Sequence, residues 1–205
     1  IDEAIASVLA QDHPSFELLV IDDGSTDGTW QRMRQYGGDS RVRIRRHARN
    51  RGAGATRNAL ARLARGEYLT PCDADDLLLP GALSRLSACL DASPRVGVVY
   101  GDVVELSTKR GRIVRPPAII GRDHRQAWDV LENVVNHPGS MMRRRLLMEV
   151  GGYDERVYSI DDWSLWLKLA EVTRFRYLRG ELCYVWRRHP ASLTMTDRRW
   201  RHDVQ

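Results

Sequence analysis

Lysine is almost missing from this chain: Lys109 and Lys168 are the only two among 32 basic Lys and Arg side chains. No Gly-Lys-Ser/Thr run closes a glycine-rich turn, which excludes a Walker-type phosphate loop. Cysteine is scarce as well. Cys72, Cys89 and Cys183 are odd in number and widely spaced, which excludes a zinc-binding pattern and a disulfide framework. A reducing compartment is the default for such cysteine usage, so the expected localisation is cytoplasmic. No apolar stretch approaches the roughly 20 residues that cross a bilayer, and no signal peptide is visible in the sequence. The sequence starts at Ile1, directly in helical pattern, as a trimmed fragment would. Repeats, low-complexity tracts and an interdomain linker are absent, so residues 1–205 read as one domain with a core of its own.

What is present is ordinary in bulk and unusual in places. Apolar residues make up 42% and charged residues 29%, as in a soluble globular protein. The net charge is +5, with arginine clusters at Arg41 to Arg51, Arg143-Arg144-Arg145 and Arg198-Arg199-Arg201. Such clusters suit phosphates, nucleic acid or anionic lipid. Solvated arginines standing where other proteins use lysine are the plainer reading for most of them. The last cluster, beside Trp200, is the best candidate for peripheral membrane contact.

Elements alternate along the first half. Asp2 to Gln11 has helical period, Phe16 to Ile21 reads as a buried strand, and Thr26 to Tyr36 as a helix stopped by Gly37-Gly38. A short strand around Val42 and Ile44, a helix over Ala53 to Arg65, a strand over Tyr68 to Cys72, a helix over Gly81 to Asp91 and a strand over Val96 to Tyr100 come next. This rhythm implies a doubly wound, mostly parallel α/β sheet. Later, Val103 to Glu105 and Arg112 to Val114 resemble a hairpin, and Pro116 to Arg125 a loop of the kind that covers sites. Asp162 to Glu171 reads as an amphipathic helix, with Arg174 to Leu178 and Leu182 to Arg187 as closing strands.

Ligands of open α/β sheets bind beyond the carboxyl ends of the strands, and polar motifs stand there. Asp22-Asp23-Gly24-Ser25 lies at the end of the first strand. A carboxylate there can accept from a nucleobase N–H or a ribose hydroxyl, or it can cap the next helix. Asn50 to Asn58, with Gly52 and Gly54, opens a helix whose free N–H groups suit an anion, and Arg57 stands one turn in. Cys72-Asp73-Ala74-Asp75-Asp76 packs three carboxylates into four residues. Their repulsion is relieved by a hard divalent cation, and an Asp-rich turn in water is the competing reading. Asp161-Asp162-Trp163 starts the amphipathic helix, either as dipole-complementing acids or as a partly desolvated general base. Trp163 and Trp166 read as core more than as a sugar platform, Met141-Met142 as core or pocket wall, and His137 as a turn residue or part of an acceptor wall.

Taken in order, Ser7 to Gln11, Asp22 to Gly28, Asn50 to Asn58, Asp73 to Asp76, Gly151-Gly152-Tyr153-Asp154-Glu155 and Asp161 to Trp166 resemble the family 2 glycosyltransferases of the GT-A fold. The resemblance implies inverting transfer of a sugar from a UDP, GDP or dTDP type donor to a carbohydrate or lipid-linked acceptor, with Mg²⁺ or Mn²⁺ as cofactor. It implies that Asp22, Asp23, Asn50, Gly52, Arg57, Asp73 and Arg188 bind the nucleotide-sugar. Asp75 and Asp73 would hold the metal, with Asp76 competing for that role, and Asp162 would be the catalytic base beside Asp161. Residues 1–101 would form the donor half and 102–205 the acceptor half. It further implies an opening strand ahead of Ile1, truncated here. A nucleotidyltransferase on a related scaffold and a non-catalytic basic module are the rival readings. The first expects a Lys/Arg-bearing phosphate loop where Asp22-Asp23 stands, and the acidic cleft argues against nucleic acid.

Overall fold

The computed structural model describes residues 1–107, 112–114, 135–157, 161–190 and 192. Helix α1 (Asp2–Leu9) buries Ala4, Ile5 and Val8 along one stripe, as their spacing dictates. Strands β1 (Leu18–Asp22) and β2 (Val42–Arg46) pair in parallel, with helix α2 (Thr29–Arg34) between them in the chain. Helix α3 (Ala53–Leu63), strands β3 (Tyr68–Leu69) and β4 (Leu77–Leu78) and helix α4 (Ala82–Asp91) come next. β3 is shorter than the Tyr68 to Cys72 run suggests; Pro71 has no N–H to give a ladder.

Two long strands carry the second half. β5 (Val96–Ser107) and β8 (Arg174–Arg188) run parallel, side by side. β7 (Ser140–Arg143) lies antiparallel on the other edge of β5, β3 lies beyond β7, and β4 lies antiparallel to β8. β6 (Arg112–Val114) returns along the end of β5, so the expected hairpin strands do pair. The α/β class expected from the sequence is what forms, and the directions within its larger sheet are mixed. The short strands β3, β4 and β7 have antiparallel neighbours, for which no helical crossover is needed. The two expected closing strands are one: pairing to β5 continues past a register shift opposite Gly101 and Asp102, where Gly180 takes a φ of 81°.

Side chains of β5 alternate between two cores, as the strand period requires. Val98 and Tyr100 pack with Leu165, Trp166 and Leu169 of helix α6 (Asp161–Val172) and with Leu146 and Leu147 of helix α5 (Arg144–Glu149). Val99 and Val103 pack with Leu83, Leu86 and Leu90 of α4. Trp166 is fully buried and therefore core, while Trp163 is half-buried. Met141 and Met142 are buried in opposite cores. The loop at 116–125, the 109–111 connection, Tyr158 to Ile160 and the cluster at Arg198 to Arg201 lie outside the described residues. Among the described residues, no helix is long and apolar enough to cross a membrane.

Candidate active site

Asp22 ends β1 with its side chain wholly buried. Oδ1 accepts the Ser25 N–H at 2.9 Å. Oδ2 has Arg46 Nε at 2.9 Å as an ion pair, but accepts no hydrogen bond of good geometry. The Arg46 guanidinium in turn covers the Trp30 ring at 5.4 Å. Asp23 faces another way. It accepts the backbone N–H groups of Arg51 and Gly52, each at 2.9 Å, and meets His47 Nδ1 at 2.9 Å. Burial pushes its pKa up, and those hydrogen bonds outweigh burial and hold it below the usual value. Asp23 thus pins the loop before α3, where Asn50 Oδ1 also takes the Gly52 N–H at 3.1 Å. Asn50, Gly52, Gly54, Glu155 and Val157 line a hollow of about 210 Å³ at the start of α3.

One face of α3 grips the second half of the chain. Gly54, Arg57 and Asn58 share that face by their spacing. Gly54 lies against Asp161: a Cβ there would stand 3.6 Å from Asp161 Oδ2, in ordinary van der Waals contact. Asn58 donates to the Tyr153 carbonyl at 2.9 Å and to Glu155 Oε1 at 3.0 Å, and accepts the Tyr153 N–H at 2.8 Å. Gly152, at φ +72°, leaves room for that amide: a Cβ there would lie 2.3 Å from Asn58 Oδ1. Arg57 donates from Nη1 to Asp161 Oδ2 at 2.7 Å and from Nη2 to Asp73 Oδ1 at 3.0 Å, with the Tyr153 ring 5.8 Å away. Burial works against its charge, and Asp73 and Asp161 more than offset burial and raise its pKa.

Behind Arg57, the Tyr153 hydroxyl and His137 Nε2 share a hydrogen bond of 2.8 Å. Burial, and then the Arg57 charge, push His137 down to about 3, so this imidazole is neutral. Asp162, next to Asp161, accepts the Trp163 N–H at 2.8 Å, and no ion pair to it is found among the described residues. Burial and then the Asp161 charge raise its pKa.

The loop after β3 splits its three acids. Asp73 is drawn to Arg57, whose charge overcomes burial and lowers its pKa. Asp76 is 2% exposed. Its Oδ2 accepts the Tyr184 hydroxyl at 2.9 Å and its Oδ1 the Arg187 N–H at 2.7 Å, and Tyr184 Oη accepts the Asp73 N–H at 2.9 Å. Burial pushes Asp76 up to about 7, against those two donors and with help from the Asp75 charge. Asp75 stays half-exposed, with Oδ2 3.0 Å from His189 Nε2. Ser7 and Gln11 of the first helical segment steady the far side of this loop. Ser7 Oγ accepts the Leu78 N–H at 3.1 Å, and Gln11 donates to the Leu79 carbonyl at 2.9 Å and accepts the Leu83 N–H at 3.2 Å.

Asp73, Arg57, Asp161 and Asp162 therefore come together, and Asp75 meets His189. Asp76 lies inward, in the grip of β8, instead of beside Asp75 in solvent. Arg188 lies against Glu105 at 3.4 Å and over the Trp186 ring at 5.9 Å. Asn58, Tyr184 and the His137–Tyr153 pair were not singled out by sequence as parts of one framework. Asn58 carried a signal, its place one residue after Arg57 in a helix; Tyr184 carried none beyond a strand pattern.

Of the three acids, Asp75 is the one left half-exposed, with His189 Nε2 beside it, while Asp73 is paired with Arg57 and Asp76 is buried. Among the described residues no group of three or more His, Cys, Asp or Glu is poised around one point.

Residues 1–151 match the family model described as glycosyl transferase family 2. The chain belongs to glycosyltransferase family 2. The y4gI protein of Sinorhizobium fredii is 31% identical over 207 residues, covering 96% of this chain and 22% of that protein. The chondroitin synthase of Escherichia coli is 28% identical over 190 residues, covering 88% and 26%. Residues 1–349 of S. aureus TarS, solved in complex with UDP-GlcNAc, align with a TM-score of 0.81 at 23% identity, over 96% of this chain and 57% of that one. At that identity the likeness establishes the shared fold, and the expected GT-A architecture is the one found. This family 2 chain spans about a quarter or less of these two relatives.

Proposed function

We propose that this domain performs inverting transfer of a sugar from a nucleoside-diphosphate donor, of UDP type, to an acceptor hydroxyl. The carrying observation is Arg57, whose two arms join Asp73 of the donor loop to Asp161 of the acid pair. Donor and acceptor chemistry thereby meet at one residue. TarS holds UDP-GlcNAc, and the E. coli relative is a chondroitin synthase; both favour a UDP-sugar and a polysaccharide or lipid-linked acceptor of the cell envelope. Residues 1–101 act as the donor half and 102–205 as the acceptor half.

In this reading the buried Asp22 Oδ2, still lacking a hydrogen bond, receives the nucleobase N–H. Asp23 and Asn50 shape the Gly52 loop, and the first N–H groups of α3 face the hollow beside it. Asp162 takes the proton of the acceptor hydroxyl as its oxygen attacks the anomeric carbon. The bond to the diphosphate oxygen breaks on the opposite face, so configuration inverts through an oxocarbenium-like transition state. A raised pKa suits Asp162 to this, because a base works best near the operating pH. A divalent ion held by Asp75, with Asp73 and His189, would supply charge stabilisation to the leaving diphosphate.

Calorimetry with UDP and Mn²⁺ tests the donor half. UDP is expected to bind with Mn²⁺-dependent affinity that Asp75→Ala abolishes; equal binding by the variant would remove Asp75 from the metal site. With UDP-GlcNAc and other UDP-sugars as donors, release of UDP is expected. Release of pyrophosphate from a nucleotide substrate would instead support nucleotidyl transfer.

A further inference from the structure

Two adjacent carboxylates open α6, and nothing in their spacing says which of them moves a proton. The packing does. Asp161 is 4% exposed, and its Oδ2 takes Arg57 Nη1 at 2.7 Å. The second arm of the same guanidinium reaches Asp73 at 3.0 Å, so the planar fork is anchored at both ends. Gly54, one turn earlier on α3, packs beside Asp161. We propose that Arg57 is the positioning residue that assigns the two acids their separate roles. Its fork fixes Asp161 as a bound counter-anion and leaves Asp162 to take the proton. This rests on the glycosyltransferase reading given above and deepens it.

The groups that face Asp162 can be named. Asp161 stands beside it on α6, Arg57 reaches in from α3, and Tyr153 approaches from the turn before α6. The Asp161 charge disfavours a second anion at Asp162, and the Arg57 charge favours one. Environments that push neighbouring titrations apart are what separates an acid from a base in a shared site. An Arg57 that served as a diphosphate contact alone would leave this division untouched.

The test reads Asp162 directly. Carboxyl carbon NMR of aspartate-labelled protein, without divalent ions, tracks its titration, and Asp162→Asn assigns the resonance. Arg57→Gln is expected to move the midpoint to higher pH, and Arg57→Lys, which keeps the charge, to bring it back towards wild type. Asp161→Asn is expected to move it the opposite way, to lower pH, and keeps the proposal testable if the Arg57→Gln protein does not fold. A midpoint unchanged in Arg57→Gln, or unchanged in Asp161→Asn, overturns the proposal. Turnover of a UDP-sugar is a separate readout: wild-type rates in Asp162→Asn would reject the base assignment and leave the Arg57 result standing on its own.

Discussion

The Asp73-Ala74-Asp75-Asp76 loop and the Asp161-Asp162 pair look alike in one dimension, as acids crowded at the start of a turn or helix. In three dimensions each buries one carboxylate in the scaffold, while Asp75 stays half-exposed and Asp162 stays outside the Arg57 fork that holds Asp73 and Asp161. Asp76 and Asp161 are the buried members, at 2% and 4% exposure. Asp161 is held by a cation, Arg57. Asp76 is held by neutral donors, the Tyr184 hydroxyl and the Arg187 N–H. Burial without a counter-charge raises a carboxyl pKa, and Asp76 stands at about 7. Which acid is available depends on the partner the fold delivers, and partners more than ninety residues away decide it.

The strongest way to break this comparison is at the acid left available. Asp162→Asn is expected to cut turnover by about 10²–10⁴-fold, the usual worth of a positioned general base, while UDP binding stays. Asp161→Asn is expected to lose less, because that residue works through Arg57. Equal losses in steady-state rates would mean that the two acids are interchangeable. Next in size is the clamp between α3 and the turn before α6. Asn58→Ala removes three hydrogen bonds to Tyr153 and Glu155 and is expected to cost about 2–4 kcal/mol in urea unfolding. Smaller again, Tyr184→Phe strips the Asp76 carboxyl and the Asp73 N–H of one shared partner. It is expected to cost about 1–3 kcal/mol and to loosen the donor loop more than α6 in hydrogen exchange.

The alternation of helices and strands was legible because each element carries its own period, and the described boundaries of α1, α3, α4 and α6 lie within two residues of the patterns in the sequence. The gathering of acids was legible too, and Asp73 and Asp161 do meet at Arg57. Which acids would be buried was not. Nothing local to Asp76 points to Tyr184 on β8, and a strand pattern cannot say that one tyrosine hydroxyl will serve two positions of a distant loop. The basic character of Arg188 was visible in the same way, and its contact with Glu105 across neighbouring strands was not. The fusion of two closing strands into β8 was hidden by Arg179-Gly180-Glu181, a sequence that reads as a turn and forms a bulge.

The pH dependence of stability isolates the burial of Asp76 without an ion pair among the described residues. In the unfolded chain this carboxyl titrates near the ordinary aspartate value, about 3.9; in the folded chain it titrates near 7. Below the lower value both states hold the proton, and Asp76 favours neither. Between the two, the unfolded chain releases the proton and the folded chain keeps it, so stability falls as pH rises. Above about 7 both states are ionised and the loss is complete. Asp23, Asp39 and Asp73, whose pKa values are lowered, give the opposite slope at more acid pH, and they are common to wild type and variant. The measurement is therefore a difference: urea midpoints of wild type against Asp76→Asn, from pH 4 to 8 without divalent ions. Wild type is expected to lose ground to the variant as pH climbs through that window and to stop losing it above the folded value. A flat difference would mean that Asp76 is ionised at no cost, with the Tyr184 hydroxyl and the Arg187 N–H standing in for a counter-charge.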